Sequence, residues 1–179
     1  MAEPRSPVPV LLVVAAFSRH DGLLQRARAC LEAEFGPISR MGNPYRFEQT
    51  EYYARSMGPD LHKHLWAFAE LIAPERLADI KLRTNALERE LGAGFPEERP
   101  LNLDPGYLVL GKFLLATTKD QQHRIYLRDG IFAEVTLYFQ GGTFHPWPWT
   151  YADYRLPEVN AFLLEARAYY REKLLADRS

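Results

Sequence analysis

The sequence predicts an α+β fold: a mostly antiparallel sheet with helices packed on one side, in a single domain. Three observations predict it. VPVLLVVAAF, 8–17, is an apolar run, interrupted by Pro9, that is too short for a membrane span and reads as a strand covered on both faces. Two-residue turn signals, Asp129-Gly130 and Gly141-Gly142, sit between strand-like segments and predict two consecutive C-terminal hairpins. Apolar stripes at helical spacing alternate with these strands, including one that makes a terminal helix.

The elements follow in order. Residues 1–7 read as a flexible tail ahead of a domain over 8–179. After the first strand, Asp21 can cap a helix over about 22–35, with Leu24, Ala27, Leu31 and Phe35 as its stripe. Gly36-Pro37 ends it, and Cys30 beside the stripe reads as a small core residue. GPISRM and NPYRFEQ suggest short strands, and EYYARSMGPD a turn-rich connection. LHKHLWAFAELI, 61–72, sets His62, His64, Trp66 and Phe68 against Lys63, Leu65 and Ala67. Pro74 suits the first turn of a short helix. ADIKLRTNALERELG fits one long helix, yet Asn85 followed by Glu88 makes a capping box, which favours a strand near 79–83 and a helix over about 86–92. LNLD reads as a strand broken at a DPG turn, and YLVLGKFLLATT as either strand or buried helix. Pro157 opens the last helix, to about 175, with Val159, Leu163, Ala166 and Tyr170 facing inward.

A tight turn at Asp129-Gly130 would oppose Arg128 to Ile131, Leu127 to Phe132, Ile125 to Glu134 and His123 to Thr136. The Gly141-Gly142 turn would oppose Tyr138 to His145 and Thr136 to Trp147. One face would then carry His123, Glu134, Thr136, Tyr138, His145 and Trp147. The other would carry Ile131, Ala133, Val135, Leu137, Phe139 and Phe144 with Arg124 and Tyr126. A His beside a Glu is a general acid/base pair in kind, and a solvated sheet face is the simpler reading of the same pattern.

With 179 residues the chain can bury roughly 70% of its unfolded surface. A net charge of -1 argues against a broad electrostatic footprint for DNA or an anionic membrane. No run reaches the roughly 20 apolar residues of a membrane span, and no signal-peptide cleavage pattern follows the first apolar run, so a cytoplasmic protein is expected. A single cysteine excludes an intrachain disulfide and a Cys-based zinc site, and His62-x-His64 lacks further ligands nearby, so no metal is expected. There is no phosphate loop, no G-x-G-x-x-G and no G-x-S-x-G; TTKD lacks the spacing of a guanine-reading T-K-x-D. HPWPWTYADYR reads as an extended, ring-bearing segment laid across the sheet, with a base-stacking surface as its alternative.

DIKLRTNALE (79–88), NLDPGYL (102–108), TTKDQQHRIYLRDGIFAEVTL (117–137) and PWTYADYR (148–155) resemble a bacterial family, Domain of Unknown Function 4416, over nearly the whole chain. The resemblance implies no activity or cofactor. It points to Asp79, Lys81, Thr84, Asn85, Asn102, Asp104, Lys112, Thr118, Lys119, His123, Arg124, Glu134, Trp149, Tyr151, Asp153 and Arg155. EYYARSMG departs from the family pattern, with Ser56 where an acid commonly precedes the Met. The expectation is a pocket for a small anionic ligand, such as a nucleotide or phosphorylated metabolite. Lys81, Lys119 and Arg124 would hold the anion, and Asn85, Asn102 and Asp104 would orient the ligand. Trp149 or Tyr151 would stack on it, and His123 with Glu134 would do any acid/base work. The alternative is a non-catalytic scaffold, homodimeric or RNA-associated, in which these groups are caps, turn bonds and ion pairs.

Overall fold

A computed structural model describes residues 3–47 and 54–176. Its centre is strand β1 (Val10–Ser18), buried at every position. It pairs antiparallel with β4 (His62–Ile72) on one side and β5 (Asn102–Val109) on the other. Beyond β4 lies β2 (Ile38–Met41), with the two-residue β3 (Tyr45–Arg46) also on β4. Beyond β5 come β6 (Lys112–Thr117), β8 (Ile131–Gln140) and the edge strand β7 (Ile125–Arg128), while β9 (Thr143–Pro146) also pairs with β8.

Helices cover both faces of this antiparallel sheet. Helices α1 (Asp21–Phe35) and α3 (Leu77–Gly92) pack on Leu12, Val14 and Ala16 of β1 and on Trp66 and Phe68 of β4. A single turn, α2 (Ala54–Met57), precedes β4. Helix α4 (Pro157–Ala176) covers the other face, setting Val159, Phe162, Leu163, Ala166 and Tyr170 against Leu11, Val13, Ala15, Leu65 and Ala67. The helices are therefore split between two layers, as an uninterrupted apolar β1 requires, since its alternate side chains point to opposite faces.

Several local expectations change. Residues 79–83 are helical, part of the continuous α3 after a 3₁₀ turn at Pro74–Arg76. Ile80, Thr84, Leu87 and Leu91 are all buried on one stripe, so tertiary packing overrides the capping-box signal at Asn85. DPG is not a turn: β5 runs straight through it. YLVLGKFLLATT is a hairpin, with Leu110-Gly111 between β5 and β6. Asp21 lies in the first turn of α1, and His20 takes the cap position. In EYYARSMGPD the 54–57 stretch is helical; its first three residues, Glu48–Thr50 before them, and 1–2 of the expected tail lie outside the described residues.

Both C-terminal hairpins form. Arg128↔Ile131 and Tyr138↔His145 pair as expected, with Asp129 and Gly130 both at positive φ. The register then slips: a bulge at Leu127 pairs Tyr126 with Phe132 and Ile125 with Ala133, and β7 stops before His123. Across β8, Leu115↔Glu134 and Phe113↔Leu137 leave Thr136 as an extra residue. Glu134 and Leu137 therefore share a face, and Tyr138 follows Val135 on the other. The expected grouping of Glu134 with Tyr138 and His145 is corrected by that one residue.

Candidate functional site

The site begins at a fork in the sheet. Strands β5 and β6 are paired only from Val109↔Lys112 to Gly106↔Leu115. Past that point β5 stays with β1 as far as Asn102, and β6 stays with β8 as far as Thr117. Pro105-Gly106 marks the branch. Pro105 has no N–H to offer a neighbouring strand. At Gly106 a Cβ would stand 2.0 Å from the Leu114 carbonyl oxygen, so only glycine lets β6 cross there. The backbone groups freed by the fork are satisfied from α3: the Leu103 N–H donates to Glu88 Oε1 at 2.6 Å, and Lys81 Nζ donates to the Leu103 carbonyl at 3.0 Å.

The fork opens into a cleft of about 380 Å³. Eight of the ten candidate residues line it: Lys81, Asn85, Asn102, Asp104, Lys119, Arg124, Glu134 and Tyr151. Lys81 Nζ also donates to Asp104 at 3.0 Å, and Asn102 Nδ2 donates to the same carboxylate at 2.7 Å. Burial alone would push the Asp104 carboxyl up, but the charges of Lys81 and Lys63 and the two hydrogen bonds outweigh it and hold the group below its usual range. Arg99 donates to Asn102 Oδ1 at 2.6 Å. Behind it, burial raises Glu88 despite Lys81, the Leu103 N–H and Arg99.

Arg124 is buried, and each of its three guanidinium nitrogens makes a hydrogen bond. It donates to Glu134 Oε2 at 2.8 Å, to the Lys119 carbonyl at 3.0 Å and to the Tyr151 hydroxyl at 3.0 Å. It therefore fixes the far wall of the cleft. His123 Nε2 lies 3.1 Å from the same Glu134 oxygen, so the expected His–Glu pair forms. Its ring, however, belongs to a second, apolar groove of about 300 Å³ lined by Leu77, Tyr107, Ile125 and Trp149, and only Glu134 borders both hollows among their described lining residues. Trp149 stacks between His123, at 5.1 Å, and Trp147, at 5.3 Å. Trp149 is thus placed outside the cleft, and the HPWPWTYADYR segment is laid across the bulge of β8. Its Trp149 Nε1 donates to the Val135 carbonyl and its Thr150 hydroxyl to that of Thr136.

Three further lining residues were not picked out from sequence. Lys63 is 2% exposed, bonds Asp153 at 2.5 Å and sits over the rings of Phe17, Phe47 and Tyr154. Its phase in β4, with Leu65 and Ala67 on the core side, was the available signal. Tyr154 follows Asp153 in a 3₁₀ turn (Ala152–Arg155) that carries both inward. Arg99 comes from the loop before β5 and had no periodic signal. Elsewhere, His62 lies 3.6 Å from Asp21. Among the described residues no helix is long and apolar enough to cross a membrane.

Fold and site together define an α+β protein with a cation-lined cleft opened by a fork in an antiparallel sheet. The chain belongs to the family described as Domain of unknown function (DUF4416), whose model matches residues 8–170. No curated protein matches the sequence significantly.

Proposed function

We propose that the protein is a cytoplasmic binding protein for a small anion carrying a phosphate or carboxylate, seated in the forked cleft. One observation carries this reading: five cations, Lys63, Lys81, Arg99, Lys119 and Arg124, converge on a cleft whose described lining holds three acids, Asp104, Glu134 and Asp153. A hollow of this size and mixed lining is of the small-molecule kind, about 300–1,000 Å³. Lys63, Lys81 and Arg124 have carboxylate partners within the cleft, Arg99 lies 3.7 Å from Glu88 behind it, and Arg99 and Lys119 stand at its exposed mouth, so its described lining carries more cations than acids. Asn85 and Thr118 stand beside them. Acid/base work by His123 and Glu134 would require a ligand that reaches the Glu134 carboxylate, because His123 stands on its other side.

The test is native mass spectrometry of freshly purified protein, followed by thermal denaturation with phosphate and phosphorylated metabolites. A true ligand at a hundred times its Kd stabilises by about 2.7 kcal/mol. For a chain of this size that is about 5–10 °C in Tm. The gain should shrink with added salt and be lost in Arg99→Ala. A panel that leaves Tm unchanged, with no retained ligand, defeats the reading.

A further inference from the structure

Deep in the cleft lies a pair of polar atoms that its ion pairs leave unused. Asp153 and Tyr154 are successive residues of the 3₁₀ turn Ala152–Arg155, and both line the cleft beside Lys63. Tyr154 is 4% exposed, and its hydroxyl has no hydrogen-bond partner. Native structures seldom bury a hydroxyl without a water or a ligand to complete it. Lys63 Nζ donates to Asp153 Oδ2, and no described residue donates to Asp153 Oδ1. Burial foremost, and then the carboxylates of Asp153, Asp104 and Glu134, keep the Tyr154 phenol protonated well past neutral pH, so its oxygen stands among the acids of the cleft. A protonated phenol can both donate and accept. Each of those acids has its own cation, Lys63 for Asp153, Lys81 for Asp104 and Arg124 for Glu134, which leaves this depth close to neutral.

Resting on the anion-binding reading, we infer that this deep end is a subsite for a hydroxyl group, and that the ligand is a hydroxylated anion of the sugar-phosphate or sugar-acid kind. One ligand oxygen accepts from the Tyr154 hydroxyl and donates to Asp153 Oδ1. A carbonyl would complete the phenol and leave Asp153 Oδ1 without a donor, and an ammonium would do the reverse. An anionic group at this depth would lose its hydration against acids whose cations are already paired. A hydroxyl brings no charge and serves both unused atoms through one oxygen. The charged end of the ligand stays nearer the mouth.

The experiment is calorimetric titration of wild type and Tyr154→Phe with two matched pairs, sorbitol 6-phosphate against n-hexyl phosphate and gluconate against hexanoate. The first member of each pair carries a hydroxyl on every carbon beyond its anionic end, so reach does not decide the result, and the second carries none. The two pairs separate a phosphate ligand from a carboxylate one. The expected result is that the hydroxylated member of at least one pair binds wild type about tenfold or more tighter than its alkyl partner. Tyr154→Phe should cut that ratio to about twofold or less while leaving the affinity for the alkyl partner unchanged, which also certifies a folded cleft. Equal binding of both members to wild type, or a ratio unchanged in Tyr154→Phe, overturns the hydroxyl subsite and leaves anion binding intact. An unchanged ratio with a lowered Tm in the variant assigns the hydroxyl to a structural water and overturns the subsite equally. Failure of all four compounds to bind wild type removes the anion-binding reading itself, and the subsite with it.

Discussion

At the scale of single residues, the cleft is a set of charges that burial would forbid if each stood alone. Lys63 and Asp153 are 3% exposed each, a depth at which an unpaired ion costs several kcal/mol. Arg124 and Glu134 form a second pair at the same depth, and Arg124 also closes on the Tyr151 hydroxyl and the Lys119 carbonyl. Lys81 is tied both to the Leu103 backbone and to Asp104. Because Asp104 is held below its unfolded value, its contribution to stability is complete above that value, about 3.9, and is lost as pH falls through the lower folded one. Asp104→Asn should therefore cost a steady amount, about 3 kcal/mol, at every pH above about 4, because it strands the Lys81 ammonium. Urea midpoints of the two proteins should converge as the solution is taken further toward acid; a gap that persists unchanged would contradict the pairing.

At the scale of elements, the fork is made by two adjacent residues of β5 and held open by α3. Pro105 withholds a donor, and Gly106 admits the Leu114 carbonyl. Glu88 and Lys81, seven residues apart on α3, take up the exposed N–H and C=O of Leu103. Gly106→Ala should destabilise by about 1–3 kcal/mol or more, because the obstructing atom is backbone and cannot rotate away. The comparison is Gly111→Ala in the β5–β6 turn, where a Cβ meets nothing within 4 Å and φ is not in the left-handed region. Similar losses at both positions, measured by chemical denaturation, would mean that the close crossing is not what Gly106 provides. NLDPG and DIKLRTNALE were legible as distinctive strings, yet their local signals misled. A turn tripeptide became the branch of a sheet, and a capping box lay inside a helix whose buried stripe outweighed it.

At the scale of the whole molecule, the sheet is graded from a centre sealed on both faces to an exposed rim. Strand β1 has a partner on each side and a helical layer on each face. Strand β7 is exposed at all four residues and has one partner. Hydrogen exchange should follow that gradient. Amides of Leu11–Ala16 should exchange only through global unfolding, and those of Ile125–Arg128 through local opening at far lower cost. Uniform protection across both strands would show the molecule opening as one unit. The cleft lies between these extremes, against the rigid β1–β5 pair on one wall and the bulged β8 on the other.

By itself the sequence determined the α+β class, the buried first strand, both hairpin turns, the terminal helix and a polar residue set of which eight members line one cleft. These are local matters of side-chain periodicity, turn geometry and a resemblance spread along the chain. Only the tertiary structure decided three things: that Lys63 and Tyr154 form the cleft floor, that Arg99 reaches its mouth, and that Trp149 belongs to a different hollow. It also decided on which face Glu134 falls, because a single bulged residue, Thr136, reverses the alternation. Faces and pockets depend on register and on which strands part company. Those are settled by the summed packing of segments far apart in the chain, not by any one of them.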